Sequence, residues 1–356
     1  MRTVADVVDV VVGVDTHADT LAAALTGPTG GVIAEHEFTS TTAGISDLIA
    51  WATDHSPGPR VLFAVEGTRS YGIGLARALT AAGLPVIEVE RPVRSERRGR
   101  GKTDAIDAVL GARKALTLNA DALPTARADG DREALRILLS ARTAMSTEKT
   151  AKTNQLIALL RTGTDADRAL TSTRLTPTTL TTIARRRARA GETRVDRVRR
   201  THARRLATTI TALEHDLREN KQALTAIVND LAPGLLHHLG VGPVSAAQTI
   251  VTFSHPGRFH TEAAFAQTAG AAPLPASSGR TTRHRLNRGG DRQLNRALHD
   301  IAKTRMIHCP TTRAYADRRR AQGHSDREIR RCLKRYIARQ LYRTLTTTMT
   351  KPLDNT

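Results

Sequence analysis

The first third of the chain switches repeatedly between strand-like and helix-like hydrophobic spacing, and few folds satisfy that alternation. Val7–Val14 is an apolar, β-branched run that reads as a buried strand. Thr20–Leu25 follows, then the turn Gly27-Pro28-Thr29-Gly30-Gly31, then Val32–Phe38, so three consecutive strands are expected in a meander. Ile45–Thr53 has helical spacing, Val61–Val65 reads as a strand, Tyr71–Ala82 as a helix, Pro85–Val89 as a strand and Asp104–Leu116 as a helix.

The resulting order, βββαβαβα, is that of an RNase H-like α/β sheet. Actin-like sugar kinases share the order, so it does not choose a function by itself. Between Glu90 and Asp104 lies the basic, glycine-containing stretch Arg91–Thr103, which reads as a loop that orders on phosphate.

Charge is divided unevenly along the 356 residues. Through Glu90 there are four Lys/Arg against eleven Asp/Glu, and from Arg280 onward there are twenty against six. A basic tail on an acidic head suits a phosphate backbone, where each neutralised phosphate releases counterions. The sequence shows neither a signal peptide nor a run of roughly 18 apolar residues, so a cytoplasmic, non-membrane protein is expected. Cys309 and Cys332 cannot make a disulfide framework.

The middle reads as helical. Leu135, Leu138, Met145, Leu156 and Leu159 follow a three–four spacing, interrupted by Arg142, Lys149 and Lys152. Leu206, Ile210, Leu213, Leu217, Asn220, Leu224 and Ile227 form a heptad seam with Asn220 at one core position. The two stripes fit a helical hairpin within one chain or a coiled coil between chains. Thr162–Arg194 between them reads as a variable connection. Leu239-Gly240-Val241-Gly242-Pro243 ahead of the helix Val244–Phe253 resembles a helix-hairpin-helix turn, and the remainder reads as short, Arg-rich helices. The expected domains are 1–120, 121–230 and 231–350: a metal-binding α/β domain, a helical coiled-coil linker, and a mainly α C-terminal domain.

Carboxylates fall at telling places. Asp15 follows the first strand and Glu66 the fourth, and these strands are neighbours in an RNase H-like sheet, so both emerge at one edge. Asp104 and Asp107 are three apart on one helix and share a face. Buried carboxylates that meet at one site repel unless a cation joins them. Mg²⁺, or Mn²⁺ in its place, accepts such oxygens, and two ions about 3.5–4 Å apart can serve both the attacking and the leaving oxygen of a phosphodiester. The alternatives are ordinary: a strand-end Asp often caps a turn, and Asp104 could cap its own helix. His17 reads as a group that orients water or substrate, with an extra metal ligand as the alternative reading.

These residues carry a family resemblance. Gly13-Val14-Asp15-Thr16-His17, Val65-Glu66-Gly67-Thr68 and Lys102-Thr103-Asp104-Ala105-Ile106-Asp107-Ala108 resemble the transposases of the IS110 family, relatives of the Piv/MooV DNA invertases with a RuvC-like N-terminal domain. Gly240-Val241-Gly242-Pro243, Ala269–Pro273, Ser277-Ser278-Gly279 and Leu286–Arg292 resemble the family's second block, with Asn287 and Asn295 where Thr/Ser and a basic residue are common. The resemblance implies a DEDD metal site of Asp15, Glu66, Asp104 and Asp107. It implies Ser278 as nucleophile, with Ser277 beside it as the other candidate. It also implies donor and target double-stranded DNA, a structured guide RNA encoded by the element, and a homodimer that assembles to a tetramer. Arg98, Arg100 and Lys102, with Arg280, Arg283, Arg285, Arg288 and Arg292, are the expected nucleic-acid contacts.

The expected activity is Mg²⁺-dependent strand cleavage and exchange through a phosphoserine. A RuvC-like resolvase or nuclease would use the metal site with water as nucleophile. An actin-like kinase would need a later Gly-rich nucleotide loop, which the sequence lacks. A nucleic-acid-binding protein with a dead metal site would bind without cleaving.

Overall fold

The computed structural model describes residues 2–89, 103–121, 130–171, 175–255, 261–272 and 289–349, together with 123, 126, 258, 259, 274, 275, 284, 285 and 287. It divides into two compact units, residues 1–133 with 253–264, and residues 134–252 with 265–356.

The first unit is built on a five-stranded sheet. β1 (Val10–Thr16), β2 (Thr20–Thr26) and β3 (Val32–Thr39) form the expected antiparallel meander. α1 (Thr42–Asp54) leads to β4 (Val61–Glu66), and α2 (Ile73–Ala81) leads to β5 (Val86–Val89). β4 runs parallel to β1 and β5 parallel to β4, giving the order β3-β2-β1-β4-β5. α3 (Asp104–Leu116) closes the unit. The first strand starts later than its apolar run, because Val4–Asp6 forms a 3-10 turn whose Val4 is buried. Val4 N–H donates to Leu118 O (2.9 Å), and Arg60 N–H to the Asp9 carboxylate (2.9 Å), which fixes where pairing begins.

Strand alternation divides the core in two. Val10, Val12, Val14, Phe63 and Val65 face one way and pack with Leu48 and Ala52 of α1 and Leu75 and Leu79 of α2. Val11, Leu62, Ala64, Ile87 and Val89 face the other way and pack with Ala112, Ala115 and Leu116 of α3.

The second unit is helical. α4 (Asp131–Arg161), whose first turn belongs to the first unit, precedes α5 (Asp165–Ala169), α6 (Pro177–Ala184) and α7 (Arg194–Leu231). The two stripes meet within one chain, antiparallel, and the residues that interrupt them answer one another. Asn220 donates to Leu138 O (2.9 Å) and accepts from Arg142 (3.3 Å), which also donates to Leu217 O (2.8 Å). Lys149 pairs with Glu214 at 2.7 Å. The stretch Thr162–Arg194, expected as a variable connection, holds two short helices. Their signals were local: Thr164 and Asp167 form a capping box, and Thr176 caps α6 ahead of Pro177.

α8 (Pro243–Phe253), α9 (Glu262–Thr268), the short strands β6 (Leu274–Pro275) and β7 (His284–Arg285), α10 (Arg292–His308), α11 (Pro310–Ala321) and α12 (Asp326–Met349) follow. The Gly240–Pro243 turn follows a single 3-10 turn, Leu235–His237, rather than a long helix. Arg305 of α10 donates to Leu239 O (2.7 Å), and the Gly242 amide donates to the Ser245 hydroxyl (3.0 Å).

Candidate functional site

The site is positioned by small residues. Gly13 lies on the α3 face of β1, and a Cβ there would overlap the Ala108 carbonyl and come within 2.8 Å of Ala112 N. Ala24, opposite Gly13 in the β1–β2 register, packs on Ala108 and Val109. With no side chain between them, α3 lies directly on the sheet, and its first turn comes over the end of β1.

Asp15 shares that face. It is 3% exposed and pairs through its backbone with Ala22 inside the ladder, so it is a strand residue rather than a turn cap. Glu66 ends β4 one residue beyond the Val14–Val65 pair, so it also falls on the α3 face. Asp104 opens α3, but the capping role belongs to Thr103, whose hydroxyl accepts from Ile106 N–H (3.3 Å). Asp107 is 2% exposed in the same turn. Carboxylates at a helix N-terminus meet its favourable dipole end.

His17 closes the group. Its Nε2 stands 3.2 Å from Asp104 Oδ1 and 3.6 Å from Asp15 Oδ2. Asp15, His17 and Asp104 can each offer one ligand atom within 4.8 Å of the others. Glu66 and Asp107 are not members of this trio. The ring nitrogen was the signal the sequence underweighted: at β1's end, two residues from Asp15, it returns to the same side of the sheet.

The turn after β4 is also built. Gly67 has φ +68°, a left-handed conformation that favours glycine. Thr16 donates to Glu66 O (3.0 Å), and the fully buried Thr68 donates to Glu88 (2.8 Å). Beside Asp104 opens a cleft of about 540 Å³, lined also by Glu35, Glu37, His36 and Thr103. The donor set suits a divalent cation: carboxylate oxygens held on one face, two of them buried, with one imidazole.

Of the other expected site residues, Ser277, Ser278, Arg98, Arg100, Lys102, Arg280, Arg283 and Arg288 lie outside the described residues. Arg285 belongs to β7, and Arg292 is exposed at the start of α10. β6 and β7 pair antiparallel, Leu274 with Arg285 and Pro275 with His284. The hairpin's neck is tightly made: Gly290 (φ +95°) and Gly270 (φ +63°) bring two backbones together, and the Asp291 amide donates to Thr268 O (2.7 Å). Asp291 caps α10 through Gln293 and Leu294 N–H and accepts from Thr252 (2.8 Å).

Comparison with known proteins agrees with this layout. Residues 12–163, which span the carboxylate face, match a family model described as a transposase, of the DEDD IS110 type. Residues 233–317, which span the hairpin, match the model "Transposase IS116/IS110/IS902 family". Over 122 residues the chain is 38% identical to the "Insertion element IS110 uncharacterized 43.6 kDa protein" of Streptomyces coelicolor. That match covers 33% of this chain and 30% of the relative's length. With a DEDD-type block carrying the acidic face and a second block carrying the hairpin, the chain belongs to the IS110 family of transposases.

Proposed function

We propose that the chain is a DNA transposase that cuts and rejoins strands through a covalent phosphoserine. One observation carries the reading: Asp15 and Glu66 face α3 from adjacent parallel strands, and the first turn of α3 supplies Asp104 and Asp107. The strand order supports an RNase H-like, RuvC-like fold for residues 1–120, with 121–230 as helical linker and 231–350 as the domain bearing the serine.

Asp15, Glu66, Asp104 and Asp107 would hold Mg²⁺, with His17 as a further donor that also suits Mn²⁺. The bound ion would supply Lewis-acid polarisation of a phosphodiester. Ser278 Oγ attacks phosphorus, the P–Oγ bond forms, the P–O3′ bond breaks, and the serine proton ends on the departing 3′-hydroxyl. The hydroxyl of a new partner strand then displaces the serine, so the ester bond count is conserved and no nucleotide is consumed. Arg98, Arg100, Lys102, Arg280, Arg283, Arg285, Arg288 and Arg292 would hold backbone phosphates. Donor and target duplexes, a structured guide RNA and a dimer-to-tetramer assembly complete the reading.

The test is an adduct assay with element-end DNA and Mg²⁺. Wild type and Ser277→Ala form a protein–DNA adduct, and Ser278→Ala forms none and cuts nothing. If Ser278→Ala still cleaves without an adduct, water is the nucleophile and the resolvase-like alternative replaces this reading.

A further inference from the structure

Lys334 of α12 is 7% exposed, and no carboxylate is bonded to it among the described residues. Its Nζ donates to Asn295 Oδ1 (3.0 Å), and Asn295 Nδ2 donates to Ala269 O (2.7 Å) at the hairpin neck. Arg330 and Arg331, half-buried one turn before it on α12, add positive charge, and half-buried His299 stands one turn beyond Asn295 on α10. Burial first, then Arg331 and Arg330, hold the Lys334 ammonium below its ordinary range. Burial, Arg330 and Lys334 depress His299 likewise, against the opposing charge of exposed Asp300. A cation sealed among cations is costly for a fold and needs a compensating anion.

We propose that Lys334, with Arg330, Arg331 and His299 around it, forms a binding site for one phosphodiester group of a nucleic-acid backbone, beside the β6–β7 neck. The inference rests on the reading that the chain binds nucleic acid, but not on the metal or the serine. Asn295 couples the site to the neck, because the side chain that orients the ammonium also holds Ala269. A phosphate there would neutralise the cluster and steady the base of the hairpin.

The experiment measures binding of the full chain, in chelator so that nothing is cut, to a random-sequence DNA duplex and to an RNA hairpin across a salt series. Thermal midpoints are measured in parallel. Lys334→Met is expected to keep or raise the midpoint, since it removes an uncompensated buried charge. It should weaken binding roughly tenfold and reduce the slope of log K against log salt by about one. Lys334→Arg should keep the slope. Asn295→Asp, which gives the ammonium an internal partner, should lose it as Lys334→Met does. A change with DNA alone, or with RNA alone, assigns the phosphate to that nucleic acid. A lowered midpoint with both slopes unchanged would show a merely structural lysine and overturn the proposal. Failure of the adduct assay with these slopes altered would leave the anion site standing and remove only the serine mechanism.

Discussion

Gly13 and Ala108 are packed so closely that any side chain on the glycine would enter the helix carbonyl. That relationship sets the height of α3 above the sheet, and therefore the distance between Asp15 and Asp104. Gly13→Ala should cost about 1–3 kcal/mol or more, as overpacking does. It should also weaken metal binding beyond the loss of stability. Gly111→Ala, on the same helix but 3.5 Å from Val89 Cγ2, is the control. It should be neutral or stabilise by up to about 1 kcal/mol, as Ala for Gly does in a helix. Urea denaturation of both variants checks this, and equal effects would refute the packing argument.

Asp15→Asn keeps shape and removes one buried negative charge. In chelator its thermal midpoint should equal or exceed that of wild type, because carboxylate repulsion falls. The stabilisation that wild type gains from Mg²⁺ or Mn²⁺, about 2.7 kcal/mol at a hundredfold excess over Kd, should vanish. An undiminished metal response would remove Asp15 from the ligand set.

His17 faces two carboxylates through one nitrogen, so its loss should discriminate between ions. His17→Ala should weaken Mn²⁺ binding by roughly tenfold and Mg²⁺ binding less, because imidazole suits the transition metal better. Isothermal titration with each ion reads the ratio, and a ratio unchanged from wild type would leave His17 a positioning group only.

Asp167 ties α5 to Arg186, which donates to it at 2.5 Å. Burial alone would raise its carboxyl, but the Arg186 bond, the Thr164 amide and the Arg186 charge together hold it below the usual range. As pH falls, the unfolded carboxyl therefore takes its proton first, which favours unfolding. The contribution is complete above about pH 3.8, the unfolded value, and is lost as pH falls through the lower folded value. Asp167→Asn should lower stability at neutral pH and flatten the acid limb of the pH–stability curve, and an unchanged limb would place acid sensitivity elsewhere.

Arg142 and Asn220 are polar intruders that satisfy each other between α4 and α7. Asn220→Leu or Arg142→Met alone should destabilise by about 1–3 kcal/mol, since each leaves a group without its partner. The double variant should cost less than the sum, with a coupling of about 0.5–3 kcal/mol. Additive losses would show that the pair does not act as a unit.

The β-branched runs, turn glycines and helical spacing determined the five strands and α3 through local physics alone, because burying one face of a strand or helix demands those periods. Asp15, Glu66, Asp104 and Asp107 were legible for the same reason: each sits where its element meets the sheet's edge. The helices within 162–194 were legible only through their caps, since threonine-rich surfaces carry little hydrophobic period. Tertiary structure alone decided the rest. It chose pairing within one chain for the two long stripes, because Arg142 meets Asn220 and Lys149 meets Glu214 across α4 and α7. It moved capping from Asp104 to Thr103 and turned His17 toward the carboxylates. It also buried Lys334 near Arg330 and Arg331, with no carboxylate bonded to it among the described residues. Side-chain period tells which face a residue takes, but which partner waits on that face is set by how closely two elements approach, and here a glycine under a helix set that distance.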